Sequence, residues 1–108
     1  MACEYSYRFA QSAERDLDEI LRYISIDLAN PVAAQGFGRK VFEKIDMIRT
    51  FPDSCELVDN EFLSDKAVRK LLVDNYVLYY KADYSERTIV IIRIVYGKRN
   101  LDEVLKTI

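Results

Sequence analysis

The chain has 108 residues, half of them hydrophobic and 31% charged, with three glycines and two prolines. That is the composition of a folded, soluble polypeptide, long enough to bury a core and too short for two ordinary domains, and it excludes a disordered chain. The net charge of −2 conceals an asymmetry, because residues 1–65 carry −6 and residues 66–108 carry +4, so that the second half alone is suited to meet an anion.

YSYRF at residues 5–9 reads as a short opening strand. Ser12 is placed to cap a first helix, with Glu14 and Asp16 matching the positive helix start, and Ala13, Leu17, Ile20, Leu21, Ile24 and Leu28 recur at helical spacing. Asn30 followed by Pro31 is a second start signal: a side chain that accepts an orphan N–H, then a residue that has none to satisfy. Ala34, Phe37, Val41, Ile45 and Ile48 form the next stripe, widened by Phe42 and Phe51. A connection of a residue or two predicts an antiparallel pair of helices. Pro52 closes the pair, and residues 52–67, with five acids against one lysine, read as a loop with a short strand or turn near Leu57 and Val58.

The remainder reads as sheet. Strands over 68–73 and 76–82 flank Asp74-Asn75, a two-residue turn whose members both tolerate positive φ. A third strand over 88–96 is apolar on both faces except at Arg93, as expected of a central strand, and LDEVLKTI at the end predicts a half-formed helix. The fold class is therefore α+β, β-α-α-β-β-β, with an antiparallel sheet covered on one face by the helix pair, in a single domain over 1–108. The lack of a long apolar run or of a charged leader before one predicts neither a membrane span nor a signal peptide, and a cytoplasmic location by default. Cys3 and Cys55 read as free thiols. With no histidine in the chain, no metal or other cofactor is expected, and acid–base work would fall to carboxylates, tyrosines or lysines.

Pairing outward from the Asp74-Asn75 turn divides the hairpin into two faces. Arg69, Leu71, Val73, Tyr76, Leu78 and Tyr80 form the more apolar one, expected under the helices. Val68, Lys70, Leu72, Val77, Tyr79 and Lys81 form the other, so Lys70, Tyr79 and Lys81 become a candidate ligand patch, or else an amphipathic surface with extended lysine stems. Arg93 must be paired or lie near a strand end, as a structural ion pair or a ligand contact. Lys98 and Arg99 follow Gly97 where the strand opens, a placement suited to an anion.

SAERDLDEILRYI, NPVAA, the FP that ends the second helix, VRKLLVDNYVLYYKAD and IIRIVYGKRNLDEVL, in that order, resemble the RelE/ParE superfamily of toxins from type II toxin–antitoxin modules over essentially the whole chain. The resemblance implies a cognate antitoxin that wraps the toxin, growth arrest when the antitoxin is lost, and a toxin–antitoxin heterotetramer as the family's assembly. Two activities occur among such toxins. RelE-like members cleave mRNA on the translating ribosome, using cations of the open sheet face to stabilise the scissile phosphate without a metal. ParE-like members trap DNA gyrase and need no bond-breaking site. The resemblance puts Lys70 at a basic position of the active face and Arg99 at the phosphate-binding arginine. However, Val77 stands where an arginine is expected, Val68 where a second lysine is, and Leu105 where a tyrosine is. Tyr79, Lys81 and Tyr96 are the available substitutes, and a valine can neither hold nor neutralise a phosphate. These departures and the long helix pair lean toward the ParE-like activity; the RelE-like nuclease, and a non-toxic member that only binds antitoxin, are the alternatives.

Overall fold

The protein is described here by a computed structural model covering residues 4–108. Cys3 lies outside the described residues. The elements run β1 (Ser6–Phe9), α1 (Gln11–Arg22), a π-helical turn (Tyr23–Asp27), α2 (Pro31–Thr50), β2 (Arg69–Val73), β3 (Tyr76–Asp83), β4 (Thr88–Tyr96) and α3 (Leu101–Leu105). The α+β class and the element order are those expected. The sheet order is β1-β4-β3-β2, with β2, β3 and β4 antiparallel, whereas β1 joins β4 in parallel. A fully antiparallel sheet was expected because short turns dictate the last three strands; β1 is remote in sequence, and no turn chemistry encodes its direction.

Local chemistry explains most boundaries. The side chain of Asn30 accepts the Ala33 N–H at 3.0 Å and Pro31 occupies the first position of α2, as predicted. Helix α1 instead starts at Gln11 after Ala10 and has no side-chain cap, so Ser12 sits inside its first turn. The π turn, closed by the Leu28 N–H on the Tyr23 carbonyl at 3.0 Å, inserts an extra residue into the helical repeat. That insertion rotates Leu28 off the apolar stripe and leaves it exposed. Phe42 and Phe51, expected to widen the second stripe, also remain largely exposed. Val73 pairs with Tyr76 across the hairpin turn, and Asp74 takes φ 53°, a conformation its side chain tolerates.

The principal core forms between the helices and one sheet face, where Leu17, Ile20, Phe37, Val41, Ile45 and Ile48 meet Leu71, Leu78, Tyr80, Ile89, Ile91 and Ile94. A second core occupies the opposite face. There Val68, Val77, Tyr79 and Val95 are covered by Val58 and Leu63 of the connecting segment and by Val104 and Leu105 of α3. The same segment covers the outer edge of β2, since Val58 donates to the Val68 carbonyl and Lys70 to the Glu56 carbonyl. The expectation of one uncovered face is thereby corrected. The acidic segment 52–67 has no helical or strand period, and its few apolar residues act only once folded over the sheet.

Candidate functional site

Strand β4 decides which side chains meet. Tyr79 pairs with Arg93 but Tyr80 pairs with Ile91, leaving Ile92 as an inserted bulge residue. A one-residue insertion reverses the alternation of side chains, so Ile89 and Ile91 before it, and Ile94 after it, all reach the helix side. Tyr96, two residues beyond Ile94, follows to that side. Strand β1 pairs with β4 only as far as Ile91, and beyond it Asp16 of α1 takes the place of a neighbouring strand. Its carboxylate accepts the Ile94 N–H at 3.0 Å and two N–H groups of Arg93 at 2.7 and 3.1 Å. Arg93 is thus a mostly buried, bidentate ion-pair member rather than a free cation.

Above this pair a cavity of about 210 Å³ opens between α1 and the end of β4. It is lined by Asp16, Glu19 and Ile20 of α1, by Tyr23 and Tyr76, and by Ile94, Val95, Tyr96 and Arg99 at the end of β4 and the turn after it. The rings of Tyr76 and Tyr96 meet edge to face with centroids 5.6 Å apart, and Phe37 meets Tyr76 in the same way at 5.0 Å. Burial, reinforced by the neighbouring Tyr23 and Tyr96 phenols, raises the Tyr76 phenol above its usual value, so it remains a neutral donor across the physiological range. A second cavity, of about 290 Å³, shares these three tyrosines and continues over Ile24, Leu28, Ala33 and Phe37 toward the Asp74-Asn75 turn.

Gly97 makes the turn that carries Arg99 to this place. Its N–H donates to the Asn75 carbonyl at 2.8 Å, and a Cβ there would lie 3.0 Å from the same oxygen. Among the described residues Arg99 has no ion-pair partner, whereas Arg69 and Arg93 each have one and Arg49 has two.

The sequence-predicted residues therefore separate. Tyr96 and Arg99 line the cavity on the helix side, and Lys98 is exposed in the turn beside it. Lys70, Tyr79 and Lys81 lie across the sheet, where Lys81 is held by Asp65 at 2.8 Å and Lys70 lies 3.9 Å from Glu56. Tyr79 is 1% exposed beneath the second core, so it is not part of a surface patch. Val68, Val77 and Leu105 surround it in that core. Tyr23, Tyr76 and Glu19 went unnoticed in the sequence. Hairpin pairing placed Tyr76 on the helix face, but nothing local indicates that the π turn brings Tyr23 to it.

A family model described as the ParE toxin of type II toxin–antitoxin systems, parDE, matches residues 7–101. The chain belongs to the ParE toxin family. No curated protein sequence matches it. Among solved structures, a chain of the chromosomal ParDE system from P. aeruginosa superposes with a TM-score of 0.69 at 18% identity, covering 88% of this chain and 98% of the other. A chain of the RelBE toxin–antitoxin complex from Mycobacterium tuberculosis gives 0.60 at 20% identity over 87% and 99%. The isolated E. coli RelE toxin gives 0.56 at 14% over 95% and 97%. At such identities the neighbours share the fold, and this ParE family member is a RelE/ParE-like α+β protein. No helix among its described residues is long and apolar enough to cross a membrane.

Proposed function

We propose that this ParE family member is a growth-arresting toxin that acts in the cytoplasm by holding DNA gyrase, not by cleaving RNA, and that a cognate antitoxin neutralises it, with a toxin–antitoxin heterotetramer as the resting assembly. The second core carries this reading. Three positions at which a RelE-like nuclease would present cations or a tyrosine are Val68, Val77 and Leu105, and all three are buried together. Around them Lys81 is paired with Asp65 and the Tyr79 phenol is raised above its usual value, chiefly by burial. The aliphatic side chains packed on this face can neither move a proton nor stabilise a charged phosphorane, and its lysines Lys70 and Lys81 lie 3.9 and 2.8 Å from Glu56 and Asp65. Arg99, Tyr96 and Lys98 remain the binding candidates, on the other side of the sheet.

Expression without antitoxin should arrest growth, and purified protein should inhibit gyrase supercoiling. Failure to inhibit at a molar excess, together with codon-linked cuts in mRNA on translating ribosomes, would replace this reading with the nuclease. Normal growth with soluble, folded protein present would remove both.

A further inference from the structure

The two cavities beside Arg99 differ in chemistry and share a wall. The first has the Arg99 guanidinium and phenol groups, with Glu19 and the Arg93-bound Asp16 also in its lining; the second is mainly apolar, with Ile24, Leu28, Ala33 and Phe37 beside the Lys40-bound Asp74. We propose that this double notch receives a short segment of a partner protein carrying a carboxylate close to a branched apolar side chain, with the carboxylate on Arg99 and the apolar group between the π turn and the start of α2. The proposal deepens the binder reading and rests on it.

The occupant follows from charge and from what lies uncovered. Arg99 has no acid within ion-pair distance among the described residues, and its planar fork beside phenol donors suits a carboxylate held by two or more hydrogen bonds. A nucleic-acid strand would bring a phosphate for every nucleotide past Glu19 and Asp16, which line the same cavity as Arg99. That repulsion grows with every phosphate, whereas a single carboxylate flanked by apolar groups brings one charge to Arg99 and meets an Asp16 already paired with Arg93. Tyr23 and Leu28, which line the second cavity, remain about half exposed. An arginine and tyrosines beside uncovered aliphatic surface are the residue types that carry binding energy at protein interfaces.

NMR titration of the labelled full chain tests this with capped peptides in which Asp and Leu stand one to four residues apart. Matched peptides carry Asn for Asp or Ala for Leu, and an oligothymidylate serves as the polyanion. At least one Asp–Leu spacing should shift Tyr76, Tyr96, Arg99 and Ala33 together. Binding should weaken about tenfold with Arg99→Gln or with the Asn peptide. Ala33→Trp, which fills the apolar cavity at a distance from the cation, should abolish the contribution of Leu while leaving that of Asp. No shifts at millimolar peptide, equal binding by the Asn peptide, or tighter binding of the oligonucleotide at these residues would each overturn the proposal. A blank titration with gyrase inhibition intact removes the notch alone; peptide binding without gyrase inhibition removes only the gyrase target.

Discussion

Asp16 and Arg93 form the most consequential pair of side chains. Their side chains are 13% and 16% exposed, so neither has water to replace a lost partner. Asp16→Ala would leave a guanidinium and the Ile94 N–H without their shared acceptor, at a cost of about 3 kcal/mol or roughly 15 °C in Tm. Replacing both residues by apolar ones of similar volume should recover much of that loss, because the unpaired charge disappears with its partner. Thermal denaturation of the single and double variants measures both effects. Arg99 makes the opposite prediction. Lacking an ion pair, it should tolerate Arg99→Gln within about 0.5 kcal/mol of stability while gyrase inhibition falls. The charge type of these two arginines is evident in the chain, but their different roles are not, since Asp16 lies 77 residues from Arg93.

At the scale of elements, the bulge in β4 and the close approach at Gly97 determine which face carries the site. Gly97→Ala presses a methyl group against the Asn75 carbonyl and should cost about 1–2 kcal/mol, shifting the hairpin-turn resonances and Arg99 together. The segment covering β2–β4 and helix α3 behave as one unit: Asn60 donates to Asp102 at 2.8 Å, and Lys106 lies 4.7 Å from the centre of the Phe62 ring. Restoring a cation beneath them should therefore destabilise the protein without creating a nuclease. Val77→Arg should cost more than about 3 kcal/mol in chemical denaturation and add no RNA cleavage on ribosomes.

For the whole molecule, the charge asymmetry of the two halves becomes a set of contacts between them. Asp53 meets Arg69, Asp65 meets Lys81, Lys40 meets Asp74 and Asp16 meets Arg93. Arg69, Lys70, Lys81 and Arg93 of the basic second half are thus paired with acids of the first half, and Arg99 is not among them. Folding also makes part of the structure sensitive to acid. The Lys81 hydrogen bond, aided by the Ala67 N–H, holds the Asp65 carboxyl below its usual value of 3.8. A carboxyl lowered in the folded state contributes stability that is fully present above its unfolded value and is lost as the pH falls through the folded one. Below about pH 4 the segment over the second core should loosen before the helix-side core does. Methyl NMR signals of Val77 and Leu105 would report it, and Asp65→Asn should remove the pH dependence from that region.

By itself the chain determined the α+β class, the order of the elements, the Asn30-Pro31 helix start and the register of the Asp74-Asn75 hairpin. These depend on caps, periods and turns, interactions between residues close in sequence. The parallel seat of β1, the closing of the second face and the passage of Tyr96 and Arg99 to the helix side were decided only by tertiary structure. Each depends on contacts between distant segments or on a single inserted residue in β4, and a strand pattern with apolar residues on both faces gives no sign of where its alternation reverses.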